Sequence, residues 1–205
     1  METIIKTKYR ARAKILKPKD NRLTYEDYYN LNDGIRYELI KGELFMSPAP
    51  IIFHQHYSIE FSLFLKKYVK DNDLGIVLVS PADVILDNYN TVQPDILFIA
   101  KENYNIIKER GIFGAPDVIF EILSPSTAKT DRHTKKEIYE RFGVKEYWII
   151  DLKNRFVEVF INISGKYELS ASGSENEIVK SEIISGFEAD LGKQFSALDF
   201  MNKLG

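Results

Sequence analysis

The alternation of apolar and polar positions changes period several times along the chain. Residues 54–70, HQHYSIEFSLFLKKYVK, place Tyr57, Phe61, Phe64, Leu65 and Tyr68 at helical spacing, which predicts an amphipathic helix. Residues 75–86, GIVLVSPADVIL, are aliphatic and β-branched, the pattern of a strand with a break at Pro81. Two further strands are predicted over 93–100 and 117–123, with a short helix within 102–110 between them. Helical spacing returns in residues 131–144, DRHTKKEIYERFGV, where Gly143 supplies a stop signal. Residues 146–151, 155–162 and 166–172 read as a strand meander, and 177–200 add one or two strands and a short terminal helix. Upstream, Thr24 stands three residues before Asp27 as an N-cap, and residues 35–50 read as two short strands turning at Lys41–Gly42. Over residues 54–151 the order is helix, strand, strand, strand, helix, strand. This is an α/β core with additional β structure at both ends.

Two of the apolar runs contain an acid. Glu121 lies within PDVIFEILSPS (residues 116–126), where full burial of its charge would cost several kcal/mol unless it is paired or bound to a cation. Asp95 opens the apolar run of VQPDILFIA (residues 92–100). If the two strands pair antiparallel, the start of one faces the end of the other and the acids are neighbours, since strands lie about 4.8 Å apart. If they pair parallel, roughly 15–20 Å separates them. The 16-residue connection KENYNIIKERGIFGAP permits either arrangement. On the following helix, Asp131, Lys135, Ile138, Tyr139 and Phe142 share one face, so Lys135 leans inward with the core residues. Lys136 lies about 100° around the axis and is expected in solvent.

Paired carboxylates bind Mg²⁺ or Mn²⁺, hard cations that prefer oxygen and keep several waters. Such an ion acidifies a water and stabilises charge growing on a phosphoryl group, and a nearby lysine adds to that stabilisation. The trio suits phosphodiester hydrolysis. The competing interpretation is packing: Asp95 as a turn residue after Pro94, and Glu121 and Lys135 as a partly buried ion pair. Tyr139 is expected as a core ring whose hydroxyl finds a partner.

Composition narrows the setting. The 205 residues, 44% hydrophobic, suffice for one sizeable core, and residues 23–205 are expected as a single domain. The absence of cysteine excludes disulfide frameworks and thiolate zinc sites and fits a reducing compartment. His54 and His56 are a weak metal pair in a chain of three histidines. No apolar stretch has signal-peptide or membrane-span character, so a cytoplasmic protein without a membrane partner is expected. Residues 1–22 form a basic arm, with Lys6, Lys8, Arg10, Arg12, Lys14, Lys17 and Lys19 against Glu2 and Asp20. It reads as a solvated arm or as a phosphate-binding one.

The motifs RYELIKGELFMSPAP, HQ, VQPDILFI, PDVIFEILSPST, DRHTKKEIYERFGVKEYWIID and RFVEVF appear in the order of the Uma-two family of restriction endonucleases. That family resembles the PD-(D/E)xK nuclease superfamily. The likeness covers residues 23–160, and SPST…D-x3-K-x3-Y-x3-GV-x-EYW is its specific part. It implies a restriction-endonuclease-like αβββαβ core whose second and third strands run antiparallel. It also implies Asp95 and Glu121 as ligands of Mg²⁺ or Mn²⁺, with the Ile122 carbonyl completing the shell. The superfamily lysine falls two residues after the second acid, where this chain has Leu123; the resemblance implies Lys135 as a migrated replacement. Glu38 and Glu43 match the family's hairpin, and Glu43 is favoured as an additional catalytic acid. His54 and Gln55 match its His-Gln at the first core helix. The implied activity is a Mg²⁺-dependent DNA endonuclease, with Lys129, Arg132 and Lys136 near enough to meet phosphates. A homodimer would let two sites cut two strands. The alternatives are a catalytically silent nucleic-acid-binding or oligomerising protein, which the loss of lysine at position 123 favours, and a nuclease acting on RNA or single-stranded ends.

Overall fold

Thr24 caps the first helix as its position predicts. Its hydroxyl accepts from Asp27 N and its own N–H donates to the Asp27 carboxylate, a reciprocal cap on helix α1 (Tyr25–Tyr29). The computed structural model describes residues 22–47, 49–125 and 127–200. The basic arm expected over residues 1–22 lies outside them, apart from Arg22. The chain divides into two units: residues 1–48 with 85–92, and residues 49–84 with 93–205.

In the first unit, strands β1 (Tyr37–Ile40) and β2 (Glu43–Met46) form the predicted hairpin, pairing Tyr37 with Met46 through Ile40 with Glu43. Lys41 and Gly42 both take left-handed backbone (φ 54° and 82°), which a two-residue turn between twisted strands requires. Leu39 of β1 also pairs with Thr91, and the Asn90 side chain accepts from Lys41 N at 2.9 Å. Arg22 lies over the Tyr89 ring, 4.1 Å from its centre.

The second unit carries the αβββαβ core. Helix α2 (Ile52–Asp71) is followed by β3 (Gly75–Val79), where the chain breaks at Ser80–Pro81, as Pro81 predicts. Strands β4 (Val84–Asp87) and β5 (Asn90–Val92), whose residues 85–92 belong to the first unit, precede β6 (Ile96–Ala100). The short helix predicted within 102–110 ends early. A 3₁₀ segment, Lys101–Ile106, gives way to a tight hairpin of β7 (Ile107–Lys108) and β8 (Gly111–Phe113). Consecutive isoleucines at 106 and 107 favour extended backbone, and Gly111 (φ 151°) adopts a conformation open to glycine.

Strand β9 (Val118–Ile122) leads into a helical stretch starting at Ala128. It contains a π-helical turn, Thr130–Lys135, before continuing as α3 (Lys136–Phe142). Gly143, left-handed at φ 80°, stops it as predicted. Strands β10 (Glu146–Asp151), β11 (Phe156–Ile163) and β12 (Lys166–Ser174) form the meander. A small pair, β13 (Ile178–Lys180) with β14 (Glu188–Asp190), and helix α4 (Leu191–Ser196) follow.

The central sheet runs β12-β11-β10-β9-β6-β3. β6 is antiparallel to both β3 and β9, and β10 returns parallel to β9 through the α3 crossover. One sheet face (Val77, Ile96, Phe98, Val118, Phe120, Ile122, Trp148, Ile150) packs on Tyr57, Phe61, Leu65 and Val69 of α2. The alternate positions, Leu97, Ile119, Glu121, Tyr147 and Ile149, point to the other face, where the Tyr139 ring meets Tyr147 at 5.1 Å. Among the described residues no helix is long and apolar enough to cross a membrane.

Candidate active site

The antiparallel register of β6 and β9 decides whether the two acids meet. Ile96 pairs with Phe120, Leu97 with Ile119 and Phe98 with Val118. Continuing that register by one residue sets Asp95 opposite Glu121. Directly opposed residues point to the same side of a sheet, and like charges in that relation are destabilising unless neutralised. The same row extends outward to Ser80, whose N–H donates to the Asp95 carbonyl at 3.0 Å, and inward to Ile149, the partner of Glu121 on β10.

Each acid is held by its own group of donors. Glu121 Oε1 accepts from Lys135 Nζ at 3.1 Å and from the Tyr139 hydroxyl at 2.8 Å. Lys135 is 5% exposed and Glu121 2%, so this is a buried pair rather than a surface contact. Lys135 Nζ also lies 3.4 Å from Asp131 Oδ1, one turn earlier and likewise buried. Asp131, Lys135 and Tyr139 therefore form a column at i, i+4 and i+8 facing the end of β9, beginning inside the π-helical turn. Such turns recur at functional sites. The Tyr147 hydroxyl donates to the Asp131 carbonyl at 3.1 Å. Burial first, then the charges of Glu121 and Asp131, push the Tyr147 phenol well above its ordinary range, so it stays a neutral donor.

Asp95 is tied from the other side. Its Oδ2 accepts from Ile122 N at 2.8 Å, a cross-strand bond that fixes the carboxylate against the end of β9. The same oxygen lies 3.1 Å from His54 Nε2. Burial by itself would lower the pKa of His54. The hydrogen bond and charge of Asp95, assisted by the Ile122 carbonyl and Asp131, outweigh it, and the net shift is upward. His54 was legible as a buried residue: with Tyr57, Phe61 and Leu65 it falls at i, i+3, i+7 and i+11 on the inward face of α2. Its partner was not, because the contact joins residues 41 positions apart.

The other buried acids of this unit are held differently. Asp117 accepts from Ala100 N at 2.8 Å, Asn103 Nδ2 at 2.7 Å and Lys145 Nζ at 2.6 Å. Glu146 accepts from Trp148 Nε1 and the Ser181 hydroxyl, both at 2.6 Å, and from the backbone N–H groups of Glu182 and Ile183. Burial still raises the Glu146 pKa, since these neutral donors offset only part of the desolvation. These two acids fasten loops.

Around Asp95 and Glu121, three acids (with Asp131) face one lysine and one histidine. The surplus negative charge sits where hard-cation chemistry needs oxygen donors. Among the described residues no group of three or more His, Asp or Glu side chains is arranged to hold a metal. Two carboxylates on opposed strands are the donor chemistry suited to an ion such as Mg²⁺, which retains waters and takes further oxygens from a phosphate. The residues fit such an ion.

Glu43 is exposed on β2 and Glu38 is buried on β1, both in the first unit. Leu123 continues β9, donating its N–H to the Ile150 carbonyl at 2.8 Å. Arg132, expected to meet phosphates, is held by Glu158 and by Asp151. Lys136, expected in solvent, is half-buried with its ammonium 3.3 Å from the centre of the Phe160 ring, a cation–π contact. Burial lowers its pKa against the opposing pull of Glu158 and Glu140. Lys136 departs from the expectation because its partner comes from β11, far along the chain. Lys129 is exposed.

Comparison with known proteins agrees with this architecture. A crystal structure described as a putative nuclease belonging to DUF820, from Anabaena variabilis, superposes with a TM-score of 0.72 over 86% of this chain and 99% of that one, at 20% sequence identity. The likeness establishes a shared fold. No curated protein matches the chain. The Uma2 family, described as "Putative restriction endonuclease", matches residues 24–192, which takes in the central sheet, both helices that flank it and every site residue named above. The chain is a member of the Uma2 family.

Proposed function

We propose that this protein is a metal-dependent DNA endonuclease that hydrolyses phosphodiester bonds at Asp95 and Glu121. The observation that carries the reading is the opposition of these two acids across β6 and β9, with the buried Lys135 ammonium 3.1 Å from Glu121. A divalent cation, Mg²⁺ or Mn²⁺, held by the two carboxylates with the Ile122 carbonyl would acidify a water and withdraw charge from the phosphoryl group. The chain's own residues prepare the site. Ile122 N and His54 fix the Asp95 carboxylate, and Tyr139 fixes Glu121. Lys135 holds a positive charge where the anionic transition state would form, in a site with little water, where such a charge counts most. Its origin on the helix rather than at position 123 puts the ammonium beside Glu121 without requiring a lysine on the strand. A homodimer is proposed as the form that cuts both strands.

The test is cleavage of supercoiled plasmid in Mg²⁺ or Mn²⁺ by the wild type and by Asp95→Ala, Glu121→Ala and Lys135→Ala. Metal-dependent cutting that disappears in all three variants supports the reading. Cutting that survives in the double acid variant belongs to a contaminant and refutes it. A second reading, a DNA-binding protein without hydrolysis, draws on the same geometry: Lys135 and His54 already supply each acid with a basic partner. It predicts binding that falls steeply with salt and no cleavage.

A further inference from the structure

Lys135 poses a problem for any cation that binds Glu121. Its ammonium is buried, and Glu121 is among its partners at 3.1 Å. A divalent ion taking up Glu121 would draw that carboxylate's charge away from the ammonium, and a buried ammonium deprived of a counter-charge is costly. Asp131 offers a way round this. Its Oδ1 is 3.4 Å from Lys135 Nζ, it is itself 1% exposed, and it lies on the same helical column. Its charge is felt at His54 and at Tyr147, so it belongs electrostatically to the same cluster. The π-helical turn that contains both residues supplies this second acid from the helix, and the Tyr147 hydroxyl anchors the Asp131 backbone.

We infer that Asp131 is a positioning residue, the partner that receives the Lys135 ammonium when a divalent cation takes up Glu121. The inference rests on the proposed cation site. In the absence of a cation Lys135 neutralises Glu121. When the ion arrives, the ammonium moves its main ion pair to Asp131 and remains protonated and buried, close to the phosphate. Asp131 is not a ligand in this account. It lowers the cost of freeing Glu121 and keeps the lysine in the site.

The experiment is a double-mutant cycle read by Mn²⁺ binding, measured from the electron paramagnetic resonance signal of free Mn²⁺, on the wild type, Asp131→Asn, Lys135→Met and the double variant. Partner exchange predicts that Asp131→Asn weakens Mn²⁺ roughly tenfold, within the range of couplings found in one ion-pair network. It predicts almost no effect of the same change once Lys135 is methionine. A general field effect of the lost charge would weaken binding by equal factors in both backgrounds, and that result overturns the inference while leaving the cation site intact. Asp131→Glu, which keeps the carboxylate, should bind Mn²⁺ as the wild type does; loss of binding there also counts against it. A crystal of the wild type soaked in Mn²⁺ removes any dependence on variants that fold poorly. Lys135 Nζ should lie closer to Asp131 than to Glu121, and an ammonium still on Glu121 beside the bound ion contradicts the exchange. If no chain binds Mn²⁺, the proposed site and the exchange both fall.

Discussion

The chain contains two Pro-Asp pairs, each opening a strand of the central sheet, and they have opposite fates. Pro94–Asp95 opens β6 and Pro116–Asp117 opens β9. Because β6 and β9 are antiparallel, the two openings lie at opposite ends of the sheet. Asp95 meets the far end of β9 and finds another acid in register. Asp117 meets the far end of β6, where it receives Ala100 N, Asn103 and Lys145 and donates its own N–H to the Phe98 carbonyl. One aspartate faces like charge and a histidine ring; the other is satisfied largely by amide donors that define a corner. An identical local sequence thus yields an anchor or a candidate site according to what the opposing strand presents.

The comparison breaks most visibly in activity. Asp95→Asn and Glu121→Gln should each lower DNA cleavage by more than about 100-fold, beyond what losing an outer partner of a metal ligand costs. A circular-dichroism melt should show the fold retained, with relief of repulsion between the opposed acids set against the counter-charge each variant takes from Lys135 or His54. Asp117→Ala should do the reverse. Leaving the buried Ala100 N–H without its acceptor costs about 2–3 kcal/mol, to be read from urea denaturation, while cleavage per folded molecule stays unchanged. Tyr139→Phe removes one hydrogen bond from Glu121 and should weaken Mn²⁺ binding by roughly tenfold, the lower end for an outer partner.

The smallest expected effect is on pH dependence. The folded state raises the His54 pKa above its ordinary 6.5, so the folded chain binds that proton more tightly than the unfolded one. The stability contributed by the His54–Asp95 contact is fully present below about pH 6.5. It is lost as pH rises through the higher folded-state value. Asp95→Asn should flatten that slope in denaturation curves recorded from pH 5 to 8. An unchanged slope would assign the pH dependence to other groups.

Much of this architecture is legible in the sequence because it is written locally. The Thr24 cap, the Lys41–Gly42 turn, the break at Pro81 and the stop at Gly143 depend on residues within a few positions of one another. The helix face from Asp131 to Phe142 placed Lys135 inward, and the structure buries it beside Glu121. Tyr139, expected as a core ring in need of a partner, gives its hydroxyl to the same carboxylate. What periodicity could not decide was strand direction. The residues alone left parallel and antiparallel pairing open, and only family likeness pointed to the antiparallel register. The sequence was also silent on long-range partners: His54 with Asp95, Arg132 with Glu158, Lys136 with Phe160. Residues 107–110 of the hairpin fell within the stretch read as helix because its polar turn, Glu109–Arg110, resembles the exposed face of one.

The claim beneath all of this is that Asp95 and Glu121 act together on one divalent cation. Titration of Mn²⁺ into the wild type and into the Asp95→Asn and Glu121→Gln variants tests it without reference to substrate. The account predicts one ion bound per chain in the wild type and loss of that binding in either single variant. Binding that persists undiminished in the double variant, or no binding to the wild type, would contradict it.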